Sequence, residues 1–307
     1  VLGFWTGHET GTMVGSSWFV DRHWDRLREH AVAYLQIDQP ACNGTTRWSA
    51  ASNAELKRFH QKIEQQVLGN RPFAWRRAVK NGDASFFGLG VPMLAAQGAY
   101  TEEELKQTAL ANLGWWHHSL ENTIDKLDFD YMAVHLKVYA SYLWELCTAV
   151  VLPFEFVSAA EQFIERLDQL APGVDALDLR AVAARAHAFA AAARKLDECA
   201  QQWRARYEKG ETDDTAADIL NDCMKRLSRA LIPLASTSKG AYGHDPYGYT
   251  PQGTMIPSLF DVPQFAKLPE GEARWMLETQ LVRARNQVSD ALDDCGRLID
   301  QTLATLS

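Results

Sequence analysis

The chain has 307 residues, 47% of them hydrophobic and 23% charged, which is enough apolar mass for two ordinary cores. A formal charge of -8 argues against the basic face that a general nucleic-acid binder carries. No apolar run is long enough to cross a bilayer, so neither nucleic acid nor a membrane span is expected of this chain.

Residues 1–5 are apolar and β-prone, and the chain then turns at Gly7 and presents His8 and Glu9 side by side. A glycine-rich passage leads to a helix pattern opening at Ser16-Ser17. A strand, a tight polar turn and a helix is how an open α/β sheet presents side chains at the carboxyl end of a strand. Taken alone, His8 and Glu9 read better as solvated turn residues. The sequence opens without Met inside what reads as a core strand, so a preceding segment or a separate chain is expected to complete the sheet.

The spacing of Trp18, Phe19, Trp24 and Leu27 predicts one amphipathic helix over 16–30. A short buried strand follows over 31–37, bounded by Asp38-Gln39-Pro40. A second helix covers 53–68 and stops at Gly69-Asn70. Strands are expected over 71–79 and 91–96, separated by the turn Asn81-Gly82-Asp83. Thr101 and Glu104 stand at the two positions of a capping box. Residues 113–118 form a loop rich in Trp and His. The next helix, 131–150, carries Leu136, Tyr139, Leu143 and Leu146 as an expected core stripe.

Strand signals nearly vanish beyond Pro153. Helices are expected over 159–170, 177–208, 215–231 (ended by Pro233) and 270–306. The alanine-rich helix 177–208 reads as an element inside a bundle. Residues 235–265 are a long irregular stretch, of the kind that is usually functional or disordered. Its aromatics and prolines argue for ordered packing. The five cysteines are widely spaced, odd in number and never in a CxxC pattern, which predicts reduced thiols and no disulfide framework.

Four stretches, taken in order, resemble the zinc exopeptidases related to glutamate carboxypeptidase and the transferrin receptor. They are WTGHETGTMVGSSWF, AYLQIDQ with Asp38, GDASFFGLGVP with Asp83, and HHSLENTIDKLD with His118. The likeness continues past VVLPFEF and so spans essentially the whole chain. It implies an α/β fold in two parts. Residues 1–151 would be the later part of a zinc-peptidase sheet domain lacking its N-terminal segment. Residues 152–307 would be a mostly helical, transferrin-receptor-like dimerisation domain.

By the same resemblance, Glu9 and His118 would bind one metal and Asp38 the other, in a centre of two zinc ions. The remaining histidine and the bridging aspartate would lie in the preceding segment. His8 stands where the family has an acidic general base, and one residue is inserted before Gly15. Imidazole can also serve as a base near neutral pH. Asp83, His117, Tyr247 and Tyr249 are the candidate substrate contacts. The implied activity is hydrolysis of a small peptide or amide by a metal-activated water, of the aminopeptidase or carboxypeptidase kind. The alternative is a catalytically silent binding or dimerisation scaffold. A homodimer through the helical domain is expected on either reading, and the compartment is undecided.

Overall fold

A computed structural model of the chain describes residues 1–5, 8, 13–71, 73–80, 83–108, 110–211, 213–246, 251 and 253–306. The architecture is mixed α/β: one four-stranded sheet and, among the described residues, ten α-helices. The strands are β1 (Tyr34–Gln36), β2 (Arg47–Ser52), β3 (Phe73–Arg77) and β4 (Met93–Ala99), in the order β1-β4-β2-β3. β1 runs parallel to β4, β4 antiparallel to β2, and β2 parallel to β3. Every described strand lies before Tyr100, so the second half is built from helices and loops.

Helices α1 (Val14–Arg22) and α2 (Trp24–His30) replace the single expected helix, broken at His23, whose φ of -114° is not helical. Residues 1–5 form no strand, and Val1, Leu2 and Phe4 are exposed. The expected opening core strand is therefore not formed by them; Trp5 instead packs its ring on Phe19, 5.6 Å between centroids. Helix α3 (Lys57–Leu68) ends as expected at Gly69, which takes φ 60°. The capping box that opens α4 (Glu102–Gln107) is complete, with Thr101 and Glu104 each bonding the other's backbone N–H.

One face of the sheet carries the core. Trp48, Ala50 and Ser52 of β2 and Leu94 and Ala96 of β4 point toward α3 and toward α5 (Phe129–Thr148). The buried side of α5 is Tyr131, His135, Val138, Tyr139 and Tyr142. Leu136 and Leu143, expected in the core, are 68% and 56% exposed. The tyrosines displace them because each hydroxyl reaches a buried partner. Tyr139 donates to Gln36 O at 2.5 Å and accepts from Ala96 N at 2.7 Å. Tyr142 donates to Glu64 Oε1 at 2.7 Å. A tyrosine buried with its hydroxyl satisfied keeps the hydrophobic gain of its ring.

Glu64 is the sink of a sealed polar network under the sheet. Trp48 Nε1 donates to Glu64 Oε1 at 3.0 Å, and His60 Nδ1 lies 3.0 Å from Glu64 Oε2. That last pair is close but poorly aligned for a hydrogen bond, and neither atom has a second partner among the described residues. His60 Nε2 meets Ser52 Oγ at 3.0 Å, and Ser52 Oγ accepts from Trp75 Nε1 at 2.9 Å. Ser52, His60 and Glu64 are all fully buried.

The helical half comprises α6 (Val157–Leu170), α7 (Leu179–Glu208), α8 (Asp214–Ser236), a short α9 (Val262–Phe265) and α10 (Glu272–Leu306). Pro233 lies inside the last turn of α8 rather than ending it, and the chain leaves the helix only after Ser236. Pro cannot donate, yet its carbonyl still accepts from Thr237 N at 3.1 Å. Part of the alanine content of α7 is spent within the chain, with Ala186, Ala193 and Ala200 fully buried against neighbouring helices, while Ala181, Ala184, Ala188, Ala191 and Ala205 are exposed. Buried side chains from Trp48 to Ile299 join in one continuous core across the expected boundary at 151/152. All five cysteines are free, three of them buried, with Cys147 exposed.

Helix α6 begins without a capping side chain of its own. Asp197 of α7 supplies one, accepting from Phe156 N at 3.2 Å and from Val157 N at 3.3 Å. Burial pushes the Asp197 carboxyl up to about 6, against the pull of these two N–H donors.

Two predictions follow from this packing. Glu64→Ala should cost about 3–5 kcal/mol in urea unfolding, because it strands the buried Trp48 and Tyr142 donors without their acceptor and removes the carboxylate beside His60. The second concerns pH. Asp197 binds its proton more tightly when folded than when unfolded. Its contribution to stability therefore grows as pH falls through about 6 and is complete below the ordinary aspartate value of about 4. Asp197→Asn should flatten that part of the stability profile, measured by denaturant unfolding at stepped pH.

Candidate active site

Two loops meet at the end of β1. The strand stops at Gln36, and Asp38 follows in an exposed turn. The 113–128 loop is laced to that turn at three points. Gln39 Nε2 lies 3.2 Å from His117 Nδ1, Cys42 Sγ donates to Leu113 O at 3.5 Å, and Cys42 forms an isolated bridge with Leu127. His135 of α5 adds a contact from below, its Nδ1 2.7 Å from Pro40 O. The lacing brings Asp38 and the His117-His118 pair to the same edge of the molecule.

His117 and His118 have ring centroids 3.7 Å apart, and His118 takes a left-handed backbone with φ 60°. His118 is exposed, as Asp38 is. Trp115 is 60% exposed and meets Trp116 edge-on at 5.8 Å, so the aromatic pair lies at a solvent-facing rim rather than in a closed wall. Asp38 also borders a cavity of about 30 Å³ on the other face of the sheet, together with Gln36, Ser49, Arg76 and Gln97. That volume has room for water but not for a peptide.

A second group lies around Asp83, in the turn after β3. Its Oδ2 is 3.4 Å from His8 Nδ1, and its Oδ1 accepts from Ser16 Oγ at 3.0 Å. Ser16 Oγ is also 2.8 Å from Ser85 Oγ, which is 3.1 Å from Ser17 Oγ. The Gly-Ser-Ser start of α1 thus faces the Asp83 turn with its hydroxyls. Lys80 is buried beside this group, and burial pulls its ammonium down to about 8 against the fields of Asp245 and Asp83.

Tyr34 links the two groups. Its ring stacks on Phe86 at 4.3 Å, and burial raises its phenol, with the charges of Asp83 and Asp38 acting in the same direction.

The helical half reaches this region through the loop after α8. Asp245 closes that loop on itself by accepting from Ser238 N at 2.9 Å and from Lys239 N at 3.0 Å. His244 Nε2 meets Asp21 Oδ1 of α1 at 2.8 Å, and Tyr242 packs on Trp24 of α2 at 5.2 Å. A side chain at Gly88 would strike Ala241 O at 2.5 Å, so the loop sits directly on that glycine.

Of the residues expected from sequence, the structure joins His8 to Asp83 and His117 to His118, and ties the Asp38 turn to the loop of the two histidines through Gln39. Glu9, Tyr247 and Tyr249 lie outside the described residues. Among the described residues, no group of three or more His, Cys, Asp or Glu side chains is placed to hold a metal ion. The sequence reading did not single out Ser16, Ser85, Lys80 or Gln39; two serines in a Gly-Ser-Ser helix start were the available signal for the first. No family model matches the chain, and no curated protein matches it.

The lacing is testable. Gln39→Ala should raise hydrogen exchange across 113–122 while lowering global stability by about 1 kcal/mol or less, as expected for one part-buried hydrogen bond. Exchange mass spectrometry on the folded protein reads the difference.

Proposed function

We propose that the protein is a metal-dependent hydrolase that cleaves a peptide or amide bond. The observation that carries this reading is the lacing of the Asp38 turn to the His117-His118 loop. It sets a carboxylate and an imidazole on adjoining loops at the end of a strand. Such N/O donors suit zinc, and Glu9, one residue after His8, is the third donor of the set that the sequence implies. When bound, a metal there would supply a water of lowered pKa and polarise the substrate carbonyl.

The chain's own residues have the remaining tasks. His8 accepts the proton from the attacking water, as the acidic residue at this position does in the resembling enzymes. Asp83 and Lys80 make the charged floor beside it, and the Asp245 loop brings the helical half to the same edge. His117 is held by Gln39 and borders the entrance rather than the floor. The exposure of Asp38 and His118 fits an opening wide enough for an extended substrate end.

The scaffold reading is the alternative. Elemental analysis separates the two. Protein purified without chelators should hold a divalent metal, zinc first among those expected, and His118→Ala or Asp38→Ala should lower its content. Metal-free protein that does not take up zinc in equilibrium dialysis would instead establish the scaffold reading.

A further inference from the structure

We propose that the outward face of α5 is a self-association surface, on which a second copy of this chain packs its own α5 antiparallel to the first. The proposal does not depend on the hydrolase reading.

Helix α5 is apolar on two sides. Its inner side, with Tyr131, His135, Val138, Tyr139 and Tyr142, is buried in the chain's own core. On its outer side Phe129, Ala133, Leu136, Ala140, Leu143 and Cys147 are all exposed. They follow one another at alternating steps of four and three residues, which is the seam of a heptad repeat. Trp144, 68% exposed, lies beside them. Monomeric proteins rarely leave so long an apolar strip in water.

The sizes along the seam select the occupant. Phe129, Leu136 and Leu143 stand at one heptad position, and the smaller Ala133, Ala140 and Cys147 at the other. A parallel copy would set large against large and leave the small layers loose. An antiparallel copy sets each large residue over a small one, so the same surface serves as ridge and as hollow. Leu136 then lies over the partner's Ala133, and Phe129 over the partner's Ala140. Leu143 and Trp144 reach past the partner's Phe129 to the turn before its helix. Ile124 and Leu127 are exposed in that turn.

Charge makes the same choice. One flank of the seam carries Asp130 and Lys137, one heptad apart and both exposed. The other flank carries Tyr139, which is buried in its own core and has nothing to offer a partner. A parallel pair brings the two unlike flanks together, whereas an antiparallel pair brings like flanks together. In the register above, Asp130 meets the partner's Lys137 and Lys137 meets the partner's Asp130, so opposite charges face each other twice by symmetry.

The area suffices for a dimer of ordinary affinity. A buried aromatic side chain covers about 150–250 Å², which puts the exposed seam with Trp144 and its charged flank at roughly 700 Å² per copy. A standard interface takes about 800 Å² from each partner.

Sedimentation equilibrium of the full chain should show a dimer, twice the 34.4 kDa of one copy. Its Kd should be on the order of micromolar. Leu136→Glu should keep the thermal unfolding transition, since Leu136 is exposed in the single chain, and raise Kd about 100-fold. Asp130→Lys and Lys137→Asp should each raise Kd about tenfold alone, because each sets like charges opposite one another twice. An equimolar mixture of those two variants restores both opposite-charge contacts and should recover the wild-type affinity as a mixed dimer. A wild-type chain still monomeric at about 100 µM overturns the proposal. A dimer indifferent to Leu136→Glu also overturns it, and would place the interface elsewhere, as in the helical half. If Leu136→Glu does not fold, the charge variants decide, and a mixture no tighter than either variant alone overturns the antiparallel pair.

Discussion

The guanidinium of Arg229 is the contact on which the arrangement of the two halves depends. It lies on α8 and is buried, yet its hydrogen bonds run into the first half of the chain. Nε donates to Arg28 O at 3.0 Å, Nη1 to Gly90 O at 2.8 Å, and Nη2 to Ala31 O and Leu27 O. Three of these carbonyls are at the end of α2, where a helix leaves its last C=O groups without partners and favours a cation. The fourth is Gly90, whose φ of 77° turns the chain into β4 and whose missing side chain lets the Arg229 backbone approach. Ser228, next to it, donates to the buried Glu55 at 2.9 Å. Burial pulls the Arg229 guanidinium down to about 10, but even so it stays charged, with an acid close by. One side chain thus fixes the helix before β1, the turn before β4 and the helix whose end carries the Asp245 loop.

The sequence made the regular elements legible where period and punctuation agreed. Helix α3 and its stop at Gly69, the capping box at Thr101, and the long helices α7 and α10 all follow from pattern. Strand β2 did not show itself, because Arg47–Ser52 is built of Ser and Ala around one Trp, residues of low or mixed strand preference. It forms because it is the only strand paired on both sides by strands of five or more residues, β3 and β4, and its small side chains let α3 approach. The core face of α5 was read in part: of Leu136, Tyr139, Leu143 and Leu146, Tyr139 is buried and Leu146 packs partly buried against the core, whereas Leu136 and Leu143 are exposed and Tyr131 and Tyr142 complete the buried face.

The site was legible in part. Asp38, Asp83, His8, His117 and His118 were marked by turn position and residue type, and the structure pairs His8 with Asp83 and His117 with His118, while Asp38 stands next to Gln39, which contacts His117. What single residues could not reveal is that the groups share Tyr34 and that Asp83 is held from a distance of 67 positions. Long-range pairing of short polar side chains leaves no periodic trace. The outward face of α5 raises a different matter, with Phe129, Leu136, Leu143 and Trp144 all more than half exposed. Apolar side chains at this spacing form a continuous stripe on a helix. They explain why the leucine period was visible in the sequence even though it does not face the sheet.

The sealed network beneath β2 has a consequence for how such geometry is recognised. Ser52, His60 and Glu64 stand in the order and at the separations of a hydrolytic serine triad. A search by distance alone would report a nucleophile here. Indole can only donate, so Trp75 fixes the sense of the chain: its hydrogen goes to Ser52, and the serine's own hydrogen is left for His60. The serine oxygen that would attack is therefore already occupied by a donor, within a sheet face closed to solvent. A fluorophosphonate should find no target. The same three residues would acquire a different meaning only in a protein where the tryptophan was gone and the sheet face open. Chemical identity and spacing define what a constellation could do, and the group at its outer end decides whether it is ever asked to.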